Sequence, residues 1–132
     1  MNVLICGSRT FTNMNILRDS MNKIEFPVDD IQIISGGATG ADTVAIQYAE
    51  ENNFPAIIIK PEWDKYGKQA GMIRNKKLVA LADVMIAFWD NQSKGTLNSI
   101  QLCQQKRIGS VIFDFNGNVL KVSNSELFNI KN

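Results

Sequence analysis

The sequence predicts a single α/β domain whose mostly parallel sheet is covered by helices on both faces. Three observations carry that prediction. Five short apolar runs (residues 3–6, 31–34, 56–59, 84–88 and 111–113) are continuous rather than alternating, as strands buried on both faces are. Segments with apolar residues at three- and four-residue steps lie between them, as crossover helices require. At 132 residues the chain has the length of one domain, with enough surface to bury for an ordinary core.

Taken in order, the first strand, residues 3–6, leads to a helix over residues 13–24, where Met14, Leu17, Met21 and Ile24 form one stripe. The second strand leads to a helix over 42–53 with Val44, Ala45, Tyr48 and Ala49 on its inner face. A third helix over 72–82 uses Met72, Ile73, Val79 and Ala82, and a fourth over 97–106 uses Leu97, Ile100 and Cys103. After the fifth strand, Asn116-Gly117 is a hairpin turn, because both of its central positions favour positive φ. A sixth, antiparallel edge strand over 118–122 follows. Residues 123–132 are polar and read as a surface tail of the same domain, which therefore spans 1–132.

Composition excludes several function classes. Apolar residues make up 45% and charged residues 20%, and no apolar run reaches the ~18 residues of a spanning helix. The first six residues read as a strand, not a signal peptide, so a cytoplasmic protein with no membrane partner is expected. Lys and Arg number 14 against 13 Asp and Glu, a net charge of +1 that supplies no general footprint for duplex nucleic acid. The absence of histidine removes Ser-His-Asp and Cys-His nucleophiles and His-ligated metals. Cys6 and Cys103 read as buried, inert thiols.

Ligands of open parallel sheets bind beyond the carboxyl ends of the strands. The segments there are Gly7-Ser8-Arg9, then Gly36-Gly37-Ala38-Thr39-Gly40 running into Asp42, then Trp63, Lys65, Tyr66 and Lys68 ahead of Arg74-Asn75, and finally Trp89 with Ser93-Lys94-Gly95-Thr96. Each carries glycine, hydroxyl groups or cations, whereas the turns at the opposite edge look like plain connections. The glycine-rich second loop opens directly into a helix, which suits an anion, although it is neither a Walker A loop nor the dinucleotide fingerprint. Asp42 either caps that helix reciprocally with Thr39, binds a ribose hydroxyl, or acts as an acid or base. Arg9 suits bidentate anion recognition, and the aromatics beside Lys65 and Lys68 suit a stacked base or a pinned loop. Trp89 is either a base wall or a cap on the core. Thr96 either caps its helix or joins Ser93 on a phosphate.

These motifs together resemble the YspA-like, cpYpsA-related branch of the SLOG superfamily. The likeness runs from Gly7-Ser8-Arg9 and Phe11, through Ser35 to Asp42, through Trp63 to Asn75, and through Asp83, Ile86, Ala87, Phe88 and Trp89 to Ser93, Gly95 and Thr96. It implies a Rossmann-like fold with strand order 3-2-1-4-5, as in the DNA-processing protein DprA and the LOG phosphoribohydrolases. It also implies a nucleotide or nucleotide-derived ligand. Arg74 resembles the LOG arginine, but Ser99 stands where the LOG glutamate should be, which disfavours LOG-type hydrolysis.

The reading that follows is a sensor or sequestering module for a nucleotide-derived small molecule. The alternative is a nucleotide-processing hydrolase, an N-glycosidase or phosphohydrolase, with Asp42, Glu62, Asp64 and Arg74 as catalytic candidates. A weaker alternative is DprA-like binding of single-stranded DNA through a patch of Lys65, Lys68, Arg74, Lys76 and Lys77. Near-neutral charge makes nucleic acid an unlikely partner in this reading. No protein metal site is expected, Mg²⁺ entering only as the companion of a phosphate ligand. A homo-oligomer is expected from the family likeness and from the uncovered edges of a small sheet.

Overall fold

In the computed structural model, which describes residues 1–131, the chain runs β1 (Asn2–Gly7), α1 (Met14–Asn22), β2 (Ile24–Glu25), β3 (Gln32–Ser35) and α2 (Ala41–Glu51). It continues through β4 (Ala56–Ile58), a single-turn α3 (Trp63–Tyr66), α4 (Ala70–Leu81), β5 (Val84–Phe88) and α5 (Lys94–Lys106). β6 (Gly109–Phe113), β7 (Val119–Ser123) and β8 (Asn129–Ile130) complete it. The six-stranded sheet has the order β4-β3-β1-β5-β6-β7, with every pairing parallel except β6 with β7. The five parallel strands therefore take the order 3-2-1-4-5 that the family resemblance implies, with the antiparallel strand outside them, as the hairpin turn predicts.

The continuous apolar runs arise because pleating sends neighbouring residues to opposite faces and both faces are covered. From β1, Val3 and Ile5 enter one core while Leu4 and Cys6 enter the other. β5 divides likewise, Val84, Ile86 and Phe88 against Met85 and Ala87. The first core is closed by Leu17 and Met21 of α1 and by Val44, Ala45 and Tyr48 of α2. The second is closed by Leu78 and Val79 of α4 and by Ile100 and Cys103 of α5. Asn13 caps α1 by accepting the Ile16 N–H at 3.1 Å.

Two helices begin earlier than apolar periodicity predicts: α4 starts at the small, buried Ala70, and α5 starts at Lys94, where Gly95 and Thr96 of the first turn line a cavity rather than the core. Residues 123–130 differ more from expectation: β8 pairs with β2, and the Lys131 N–H reaches the Lys23 carbonyl at 2.6 Å. Phe128 is the reason. It is buried against Gly109, where any Cβ would strike its ring at 2.9 Å, so one aromatic side chain ties down an otherwise polar segment. Asn132, also assigned to the tail, lies outside the described residues. Among the described residues no helix is long and apolar enough to cross a membrane.

Candidate functional site

With β1 central and its successors wound to either side, the carboxyl ends of β1, β3 and β5 deliver three chain reversals to one place. At the first, the Ser8 N–H donates to the Phe88 carbonyl at 2.9 Å, and the Ser8 carbonyl accepts from Phe11 at 3.1 Å. Phe11 then turns back into the core and stacks on Phe88, with centroids 4.4 Å apart and planes 11° apart. The intervening Arg9 and Thr10 are pushed out into solvent.

The second reversal packs on the first. Gly40 has φ +79°, and a Cβ there would overlap the backbone of Arg9, so two loops touch where only glycine fits. Gly36 plays a similar part for side chains, since a Cβ would collide with the Arg74 guanidinium and with Asp42 Oδ2. The reciprocal cap between Thr39 and Asp42 does not form. Asp42 instead accepts the Ala38 N–H at 3.1 Å, Gly40 occupies the cap of α2, and Thr39 is exposed.

At the third reversal Asp90 Oδ1 accepts the N–H groups of Gln92 and Ser93 at 2.9 and 2.8 Å. The Asp90 N–H donates to Ser8 Oγ at 3.3 Å, which ties this loop to the first. Trp89 packs on the second core and donates its indole N–H to the Ser93 carbonyl at 3.1 Å, so it pins the loop. Thr96 does not cap α5; its hydroxyl lies 3.2 Å from that of Ser93.

Arg74, projecting from α4, joins these parts. Its Nη1 donates to the Gly36 carbonyl at 2.6 Å and its Nε to Asn75 Oδ1 at 2.9 Å, while Asn75 donates to Asn98 on α5 at 3.0 Å. Nη2 has no hydrogen-bond partner among the described residues.

These groups enclose a cavity of about 400 Å³. Of the residues singled out in the sequence, Gly7, Ser8, Arg9, Ala38, Asp42, Arg74, Asn75, Ser93, Gly95 and Thr96 line it. Gly36, Gly37, Thr39, Gly40, Trp89 and Lys94 do not, although Gly36 and Gly40 set the approach of those that do. Trp63, Lys65, Tyr66 and Lys68 lie outside it on α3 and the 3₁₀ turn that follows. So do the catalytic candidates Glu62, which pairs with Lys77 at 3.5 Å, and Asp64, which is exposed. Sequence reasoning missed Cys6, Thr10, Leu78, Asp90 and Ser99 as lining residues. Ser99 carried a signal, since it sits one helical turn beyond the glycine–threonine pair, and it is nearly fully buried.

Electrostatically the cavity balances two guanidinium groups against two carboxylates. Burial raises the pKa of Asp42, and the Ala38 N–H, then Arg74 and Arg9, pull it back. Burial likewise draws Arg74 downward, opposed by Asp42. Asp90 is held below the ordinary carboxylate range by the Ser93 and Gln92 N–H groups. Burial and then Asp42 push Cys6 well above the ordinary thiol value, so it is no nucleophile. Among the described residues no group of three Cys, Asp or Glu side chains is placed to hold a metal ion.

The fold is shared with a solved structure of DNA processing protein A from Helicobacter pylori, described for its single-stranded DNA binding mode. The TM-score is 0.61 at 23% identity, over 94% of this chain and 68% of that one. This likeness corrects one expectation. A net charge near zero does not make nucleic acid an unlikely partner, because the same architecture serves a protein that binds single-stranded DNA. In sequence, the chain is 31% identical over 118 residues to the Gene 61 protein of Mycobacterium phage D29, covering 84% of this chain and 94% of the phage protein. Residues 1–66, which contain the first two loops of the cavity, match the family described as YAcAr. With half of the chain matched and the phage relative similar over most of its length, the chain belongs to the YspA, cpYpsA-related SLOG family.

Proposed function

We propose that the cavity binds one nucleotide unit through its phosphate, and that single-stranded nucleic acid is the ligand that presents it. The observation that carries this reading is the meeting of Arg9, Arg74, the Ser93 and Thr96 hydroxyls and the first turn of α5 around a single space. The side chain of Ser93 leaves the N–H groups of that turn uncapped, and they favour an anion. A volume of about 400 Å³ is at the small end for ligand sites, which suits one nucleotide and excludes a stacked run. The single-stranded DNA binding of the Helicobacter pylori protein supports a strand over a free nucleotide.

Gly95 provides the test. It lines the cavity, and a Cβ placed on it meets nothing within 4 Å, so Gly95→Leu fills the site without disturbing packing. The expected result is at least a tenfold loss of affinity for dTMP and for oligodeoxythymidylate, with a melting temperature at or above that of the wild type. Undiminished affinity would overturn the assignment of the cavity.

A second reading, hydrolysis of the bound nucleotide, is favoured by Asp42 alone. It is the one buried carboxyl in the cavity, and its raised pKa suits a general acid. Product formation that disappears in Asp42→Asn while dTMP binding survives is the expected outcome. Turnover retained in that variant would remove Asp42 from any such role.

A further inference from the structure

The elbow between α3 and α4 holds an indole and a set of cations that the cavity does not use. Besides Arg74, residues 60–77 carry five lysines against two carboxylates, in a chain whose whole net charge is +1. Tyr66 is the anchored aromatic of the elbow, with the Lys65 and Lys77 ammonium groups 5.1 and 5.9 Å from its ring centroid. Trp63 is the open one: it is 51% exposed, and a Cβ on Gly71 would lie 3.6 Å from the edge of its ring. Apolar burial does not explain an indole left half in water on a four-residue helix. The elbow adjoins the cavity at Arg74, which lines the cavity on one side and on the other packs in a closed cleft with Glu62, Tyr66 and Lys77.

We propose that this elbow is a second nucleic-acid subsite, where the base adjoining the one in the cavity stacks on Trp63 and its phosphate meets Lys65 and Lys68. The proposal rests on the cavity reading above and deepens it: the ligand becomes a strand of at least two nucleotides. The chemistry favours this occupant. A single strand offers exposed π-faces and regularly spaced negative charge, and the elbow offers an exposed aromatic among lysines. The subsite is sequence-tolerant, since any base can stack.

The test compares oligodeoxythymidylate, followed by fluorescence anisotropy, with dTMP, followed by calorimetry, in Trp63→Ala, Trp63→Phe and Gly95→Leu. Trp63→Ala is expected to weaken the oligonucleotide roughly 5- to 150-fold, the range for losing one stacked base. Its dTMP affinity should stay unchanged, and Trp63→Phe should recover most of the loss. Three results overturn the subsite: oligonucleotide affinity that is unchanged in Trp63→Ala, dTMP affinity that falls by the same factor, or a change only in self-association, which would mark Trp63 as a contact between copies. Gly95→Leu separates the two ideas. If Gly95→Leu loses affinity for both ligands while Trp63→Ala loses none, the elbow alone fails. If Gly95→Leu loses affinity for neither, the cavity reading fails and takes the adjoining-base proposal with it.

Discussion

The cavity and the α3–α4 elbow differ in what holds their side chains in place. In the cavity, the side chains of Ser8 and Arg74 are hydrogen-bonded to backbone groups of other loops, and the carboxylates of Asp42 and Asp90 accept N–H groups of their own turns. Hydrogen bonds of that kind contribute about 1 kcal/mol each, and more when one partner is charged. At the elbow the corresponding contacts are the Glu62–Lys77 pair, exposed on both sides, and two ammonium groups over Tyr66. An exposed pair contributes about 0–1 kcal/mol. The cavity is therefore the more preorganised of the two, as the proposed binding of one nucleotide unit requires, while the elbow has the adaptable charge and exposed aromatic area that the proposed stacking requires. Rigid recognition beside a tolerant platform is a division of labour that suits a polymer with a uniform backbone and varied bases.

The largest way to break the contrast is to unpin the cavity wall. Phe11→Ala removes a ring that is 1% exposed and packed between Phe88 and Phe115. Denaturant unfolding should show a loss of about 3–5 kcal/mol. A loss under about 1 kcal/mol would mean that the Arg9 loop is not held by this stack.

A smaller effect sharpens the electrostatic side. Burial raises the folded-state pKa of Asp42 above its unfolded value, so the folded protein binds the extra proton. Stability from this group is fully present below the unfolded value near 3.8 and is lost as pH rises through the folded pKa. Asp42→Asn should flatten the stability profile across that window and leave it unchanged in shape at higher pH. A profile parallel to the wild type would show that the carboxyl is not desolvated. The smallest effect belongs to the elbow: Trp63→Ala should change folding stability by no more than about 0.5 kcal/mol. A larger loss would mean that the indole has a packing role, which would weaken its assignment as a platform.

How much was legible before the fold was known varies with the kind of signal. The parallel strands were legible because residues such as Val3 through Cys6 must be apolar on both faces, a property each strand carries by itself. Ser8, Arg9, Asp42 and Thr96 were legible as site residues because they follow strands, and a strand's carboxyl end is a local landmark. Asp90 follows β5 and carries the same landmark but was not singled out, and Ser99 was read only as the replacement for a glutamate, since it enters the cavity only when α5 is set beside β1 and α4. Trp63 and Lys65 looked like part of the same site because sequence proximity to Arg74 does not reveal that α3 stands outside the wall. β8 was invisible, since its partner β2 lies about a hundred residues away and its one anchor, Phe128, sits in a polar stretch.

The amino-acid sequence by itself determined the six strands of the main sheet and the four long helices, which faces they bury and which edge of the sheet carries glycines, hydroxyls and cations. Those properties follow from hydrophobic periodicity and backbone freedom, which act over a few residues at a time. Only the tertiary structure decided which of those groups share a cavity, because that depends on how helices lie across the sheet. The contacts that set it, Gly40 on the Arg9 backbone and Arg74 on the Gly36 carbonyl, join residues about 30 to 40 positions apart and leave no local trace of their pairing.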